Sequence, residues 1–504
     1  MGLLENLALG FGVSLTPLNL GVALVGVLLG TAVGVLPGLG PAATISLLLP
    51  VTLSLDHTSA IIMLAGIYYG AMYGGSITSI LVRIPGEAAS VVTCLDGYEM
   101  ARRGRAGVAL GISAFGSFIA GTVATLGIAL LGPWLAGVAL AFGPVEKASL
   151  VLFGLVLVVN VGEGSRPRAY AMVAAGLLLS TVGTDLVSGT QRFTFGAAYL
   201  GDGLSVVVLA MGLFGVSEVL MLAEKRTPSL PVLPYGRRLR DLLPDRADWA
   251  RSAGPIGRGT VLGFLLGLLP GGGALIASFV SYVVEKRVSR TPQAFGQGEI
   301  AGVAGPESAN NAAAQASFVP LLCLGIPANA VIGVIMGAFV IHGIAPGPRL
   351  ITDHPTLFWG VVTSMFLGNL MLIVLNVPLV GAFVSLLRVP PAVMAPMVLM
   401  FCGIGAFSLN NSVNDVLVMA AFGVAGYALR KNGFDLAPLL LAFVLGSLFE
   451  NSVHQALAIG YGSAGVFVTR PISASILAVA FVVVAWPIVR ALAARVRGAG
   501  RESR

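Results

Sequence analysis

Of 504 residues only 10% are Asp, Glu, Lys or Arg, against roughly 25% in a soluble domain, and 56% are hydrophobic. The net charge of +7 is thinly spread over a chain whose mean hydropathy is +0.93. That balance excludes a water-soluble enzyme domain, and it excludes a nucleic-acid surface, because no soluble domain exists to present the basic residues.

The few charges are widely spaced. None occurs between Glu5 and Asp56, between Arg105 and Glu146, or between Glu307 and Arg349. A helix needs about 20 apolar residues to cross roughly 30 Å of hydrocarbon, and these runs exceed that length without a polar face at helical spacing. The expected fold is an all-α polytopic membrane protein in the lipid bilayer, with about 10–14 transmembrane or re-entrant segments by the same length rule.

In chain order, apolar segments fall near residues 18–36, 59–82, 107–131, 134–160, 169–187 and 203–222. They resume near 259–284, 312–345, 355–384, 392–429, 436–449 and 471–489. No basic region followed by a small-residue cleavage site precedes the first segment, so it is expected to remain in the mature chain. Between the two sets lies the basic stretch 224–258, where eight basic residues face four acidic ones. Short Lys- and Arg-rich loops stay cytoplasmic. The ARRGR cluster at 101–105 and the C-terminal tail carry the same mark, and four apolar segments, an even number, separate ARRGR from 224–258.

Residues 1–223 and 259–504 read as two membrane repeats joined by the 224–258 linker. GTAVGVLPGLGPAATI from Gly30 resembles GFLLGLLPGGGALIAS from Gly263, an offset of 233 residues. IPGEAASVV at 84–92 resembles IPANAVIGV at 326–334, an offset of 242 residues. Two paired motifs in one order point to a duplicated architecture, and secondary transporters place their substrate site at such a repeat interface.

Glycine is abundant, 67 residues in all. It permits close helix approach and breaks at membrane depth, although GC-rich coding also enriches it. In LPGLGP (Pro37, Gly38, Gly40) and LPGGGA (Pro270, Gly271, Gly272, Gly273) a proline and glycines interrupt apolar runs. Such a break opens a half-helix whose free N–H groups attract an anion; the alternative is a plain interhelical turn. Glu87 and Ser90 in IPGEAAS, and Asn329 in IPANAV, stand where hairpin tips are expected. Glu87 serves there either as a helix cap or as a proton or cation site.

GPESANNAAAQASF from Gly305 gathers Glu307, Ser308, Asn310 and Asn311 in an apolar setting. Polar groups at membrane depth mark substrate or ion paths, or else act as interhelical hydrogen-bonding glue. Their oxygens suit a hard cation such as Na⁺ at Ser308 and Asn310, and the amide N–H groups suit a carboxylate. NNSVND (410–415) and ENSVHQ (450–455) are weaker candidates. The three cysteines, Cys94, Cys323 and Cys402, have neither metal nor redox spacing. Nucleotide-binding and metalloprotease motifs are missing, so no cofactor, no metal centre other than Na⁺ and no catalytic residue is expected.

LPGLGP, the run AIIMLAGIYYGAMYGGSITSILVRIPGEAASVVTCLDGYEMARRGRAG (60–107) and GVAGPESANNAAAQASFVPLLCLGIPANAV (302–331) resemble the large membrane subunit of the tripartite tricarboxylate transporters. The resemblance implies a bacterial inner-membrane permease that works with a small membrane subunit and a periplasmic solute-binding protein. It also implies import of citrate or another carboxylate, driven by a proton or sodium gradient. ENSVHQAL (450–457) departs from the arginines of the family pattern, which implies a substrate less highly charged than citrate if that segment handles anions. On this reading Pro37, Gly38, Gly40, Ser90, Pro270, Gly271, Gly272, Gly273, Asn310, Asn311 and Asn329 hold the carboxylate, and Glu87, Glu307 and Ser308 serve the coupling ion. An intramembrane enzyme acting on a lipid-linked substrate would need a nucleophile–base pair that four scattered histidines do not supply. A passive channel would not need broken helices in repeat.

Overall fold

The computed structural model describes residues 2–36, 39–161, 165–185, 188–224, 232–234, 239–271, 273–387, 389 and 391–502. Among these the chain is helical apart from loops and one two-residue strand pair, Gly183–Thr184 with Gln191–Arg192. Pro37, Gly38 and Gly272 of the two Pro-Gly motifs lie outside the described residues, as does much of the basic stretch.

Two compact units form, Met1–Gly137 with Ser205–Asn432, and Val138–Leu204 with Gly433–Arg504. The first begins with α1 (Leu3–Ser14), α2 (Pro17–Val35), α3 (Pro41–Thr52), α4 (His57–Val82), α5 (Thr93–Met100) and α6 (Ala106–Ala139). The second unit takes α7 (Pro144–Val161) and α8 (Arg166–Ser180). The chain then returns to the first unit as α9 (Val206–Glu224), α10 (Arg246–Gly267), α11 (Gly273–Val288), α12 (Ala301–Ala316), α13 (Ala330–Ile341), α14 (Pro355–Leu386), α15 (Pro391–Asn410) and α16 (Val413–Lys431). It ends in the second unit with α17 (Ala437–Ile459) and α18 (Pro471–Glu502).

Eight described helices are long and apolar enough to cross a membrane, and four shorter apolar ones accompany them. The chain is therefore a multi-pass all-α membrane protein. Boundaries move where proline grammar was misjudged. A break is expected near Gly132–Pro133, yet α6 runs through Pro133. One proline removes a single backbone bond, which a long packed helix tolerates. The helix ends instead at Ala139, and Pro144 opens α7.

The core of the first unit is a pair of helices buried on all sides. Every residue of α4 from Thr58 to Val82 is buried, and so is every residue of α12 from Gly302 to Ala316. Glycine stripes bring a partner helix onto each. A Cβ on Gly26, Gly30 or Gly34 of α2 would fall on the carbonyl oxygen of Met63, Ile67 or Ala71 of α4. A Cβ on Gly259, Gly263 or Gly267 of α10 would fall on that of Gly305, Ala309 or Ala313 of α12. The glycines differ by 233 and their carbonyl partners by 242, the same two offsets as the sequence motifs. The duplication is thus built into the packing, and backbone contact of this closeness is open only to glycine.

Candidate functional site

Both Pro-Gly motifs break a helix. α2 stops at Val35 and α3 starts at Pro41, and α10 stops at Gly267 and α11 starts at Gly273. At 1.5 Å per residue the 12 residues of α3 span only about 18 Å, too short to cross hydrocarbon. Gly40 is the N-cap of α3 and offers no side-chain cap to its first-turn N–H groups.

Each break touches the Ile-Pro tip of its own repeat. Gly271 N–H donates to Ala328 C=O at 2.8 Å. Gly86 leaves no room for a Cβ against Gly34 C=O and Gly75 Cα. The chain enters both tips through the left-handed region, at Arg83 (φ 61°) and at Gly325 (φ 72°), again 242 residues apart. Glu87 then caps the short turn Ala88–Ser90 by accepting from Ala89 N–H at 2.8 Å, and Asn329 caps α13 by accepting from Ile332 N–H at 3.0 Å.

The tips are tied across the repeats. Asn310 Nδ2 of α12 donates to Glu87 Oε1 at 3.4 Å, and Asn329 Nδ2 donates to Tyr68 Oη of α4 at 3.0 Å. Ser90 stays within its own repeat, donating to Glu87 C=O at 2.9 Å and accepting from Ser79 Oγ of α4 at 2.9 Å. Asn311 Nδ2 donates to Ser117 Oγ of α6 at 2.7 Å and to Glu307 C=O at 3.2 Å. Among the described residues, four oxygens on the buried stretch of α12, those of Ser308, Asn310, Asn311 and Gln315, have no hydrogen-bond partner. A buried acceptor without a partner costs about 1–3 kcal/mol.

Glu307, 1% exposed, is held by three hydroxyls from three helices: Ser76 of α4, Thr93 of α5 and Ser113 of α6. No cation pairs with it among the described residues. The sequence reading passed over these hydroxyls and Tyr68. Tyr68 was within reach, because subtracting the 242-residue offset from Asn310 arrives at it. It also missed Asp96, a buried carboxylate accepting from the N–H groups of Gly296, Gly298 and Glu299 and from Tyr282 Oη. Those donors come from a loop and from α11, so only folding assembles them.

The weaker motifs are largely used for local structure. In NNSVND, Ser412 caps α16 and Asn410 bonds Asp415. In ENSVHQ, Glu450 takes a two-pronged bond from Arg192 at 2.6 and 3.2 Å within the second unit, with His454 at 3.8 Å.

The description of the matching family model is the tripartite tricarboxylate transporter TctA family, and the match covers residues 20–441. The chain belongs to the TctA family. An uncharacterised 52.8 kDa protein in the TAR-I ttuC' 3' region of Agrobacterium vitis is 50% identical over 480 residues, 95% of both chains. A second uncharacterised protein of that organism, in the TAR-II ttuC' 3' region, is 53% identical over 222 residues, 44% of this chain and 92% of its own length. No solved structure matches. All the site geometry above, from Gly40 to Asn329, lies inside the TctA-family match.

Proposed function

We propose that this TctA-family chain is the permease of a secondary active transporter in the bacterial inner membrane, importing citrate-like or other carboxylates down a proton or sodium gradient. In this reading a periplasmic solute-binding protein delivers the substrate and a small membrane subunit completes the assembly. The observation that carries it is the set of four unpartnered oxygens on α12, set beside two hairpin tips and two helix breaks. The first-turn N–H groups after Gly40, together with Ser90, Asn329 and the amides of Asn310 and Asn311, supply donors for a carboxylate. Ser308 Oγ and the Asn310 and Asn311 Oδ1 atoms supply oxygen ligands of the kind Na⁺ prefers. Glu307, a carboxylate in a collar of hydroxyls, supplies the negative charge that a coupling cation balances.

The decisive measurement is uptake of labelled carboxylates into proteoliposomes under separately imposed proton and sodium gradients. The subunit alone should transport poorly, and adding the small subunit and binding protein should raise the rate by at least tenfold. Robust uptake by the subunit alone contradicts the delivery step. Glu307→Gln should abolish the dependence on whichever ion drives uptake; an unchanged ion dependence removes Glu307 from the mechanism.

A further inference from the structure

Glu307 is enclosed by protein, yet two of its three hydroxyl partners face open space. Ser76 and Ser113, which both bond Glu307 Oε2, also line a small cavity with room for roughly one water molecule, together with Tyr73, Asn376 and a mostly apolar wall that includes Ile77, Leu110, Leu242 and Val380. Two groups in that wall are unsatisfied although more than nine-tenths buried. Among the described residues Tyr73 Oη, at 5% exposure, and Asn376 Oδ1, at 4%, have no hydrogen-bond partner. The amide orientation of Asn376 is fixed, because its Nδ2 donates to Leu372 C=O at 2.9 Å. Its carbonyl oxygen is therefore the atom left free. Leu242, from the middle of the basic stretch, is part of the wall, and it is pinned there: Gly111 of α6 sits so close that a Cβ would fall on Leu242 C=O.

We propose that this cavity is the hydrated access route by which a monovalent cation, a proton or Na⁺, passes between Glu307 and the membrane side on which residues 224–258 lie. The proposal rests on Glu307 as the coupling group and adds where its ion enters or leaves. The wall is mostly apolar, and the oxygens of Tyr73, Ser76, Ser113 and Asn376 interrupt it. Tyr73 Oη and Asn376 Oδ1 each need a partner that no described residue gives, and a water molecule or a hydrated cation satisfies both. The Ser76 and Ser113 hydroxyls keep acceptor lone pairs facing the cavity while their protons point to the carboxylate. In this route the ion passes from water at Tyr73 and Asn376 to the hydroxyl oxygens of Ser76 and Ser113 and on to the carboxylate. The apolar part of the wall, Val380 and Leu242, gives a place to close the route without touching its polar groups.

The test uses full-length protein in which Cys94, Cys323 and Cys402 are replaced by alanine. Ser113→Cys is treated with a small, charged, water-soluble thiol reagent in sealed vesicles of either orientation, beside the buried control Ala304→Cys. Ser113→Cys should react at least tenfold faster than the control, only from the side exposing residues 224–258, and Val380→Trp in the same chain should slow it at least tenfold. Reaction no faster than the control, reaction from the opposite side, or indifference to Val380→Trp overturns the route. Ser76→Cys repeats the test should Ser113→Cys fail to fold. In the otherwise native chain, Val380→Trp should raise the half-saturating concentration of the coupling ion, and varying pH and Na⁺ separately distinguishes proton from sodium. If labelling fails while Glu307→Gln still abolishes ion dependence, only the route is lost. If labelling succeeds while Glu307→Gln transports normally, the coupling role is lost instead.

Discussion

Glu87 and Asn329 occupy the same position in the two repeats, and each is bonded across to a buried helix of the other repeat. Glu87 accepts from Asn310 of α12, and Asn329 donates to Tyr68 of α4. Asn310 and Tyr68 are themselves related by the 242-residue offset, so the two bonds are pseudo-symmetric copies of one contact. The chemistry has diverged. One tip carries a carboxylate that can change charge, and the other carries a carboxamide that cannot.

That asymmetry predicts different results from equivalent substitutions. Tyr68→Phe leaves the Asn329 Nδ2 without its partner and should cost about 1–3 kcal/mol of stability, the usual penalty for an unmade buried bond. Glu87→Gln, which keeps a hydrogen-bonding oxygen toward Asn310, should melt near the wild-type temperature but respond differently to the driving gradient. Equal thermal shifts for the two variants would contradict the assignment of Glu87 to ion coupling.

Asn310 and Asn311 should separate in the same way. Asn311 has two protein acceptors at 2.7 and 3.2 Å, whereas Asn310 has one long bond of 3.4 Å. Asn311→Ala is therefore expected to lower the melting temperature. Asn310→Ala should fold normally and lose about tenfold in apparent affinity for substrate or Na⁺, equivalent to about 1.4 kcal/mol. The assay pairs thermal unfolding with uptake at several substrate and ion concentrations. Wild-type affinity in a folded Asn310→Ala protein would leave Asn310 as interhelical glue.

The glycine stripes give a prediction that is independent of transport. Gly30→Ala and Gly263→Ala each push a methyl group onto a backbone carbonyl, that of Ile67 or Ala309, which cannot move aside as a side chain would. Each should destabilise by about 1–3 kcal/mol, the usual range for overpacking, and the two effects should be similar. Gly21→Ala on the same α2 helix meets nothing within 4 Å and should be close to neutral. Differential scanning fluorimetry of the three purified variants decides it.

Membrane orientation is open to direct labelling. Arg103, exposed in the basic ARRGR turn, is predicted to be cytoplasmic. A single cysteine introduced as Arg103→Cys should react with an impermeant reagent in inside-out vesicles and not in intact cells. Ready labelling in intact cells reverses the topology.

By itself the sequence determined the membrane setting, the helical class and the duplication. Each of these is written in local or periodic terms: charge-free runs long enough to cross hydrocarbon, and motif pairs at fixed offsets. It also located the breaks at LPGLGP and LPGGGA, where proline stands with clustered glycines and the helix ends. The tertiary structure alone decided what meets Glu307. Ser76, Thr93 and Ser113 are unremarkable hydroxyls on three separate helices, and nothing in their spacing aims them at one carboxylate. It likewise decided that α6 runs through Pro133, since the packing around a long helix outweighs the loss of one backbone hydrogen bond. The Asp96 cradle is of the same kind, because donors from Tyr282, Gly296, Gly298 and Glu299 lie 186 to 203 residues away in sequence and converge only once α5, α11 and α12 are packed.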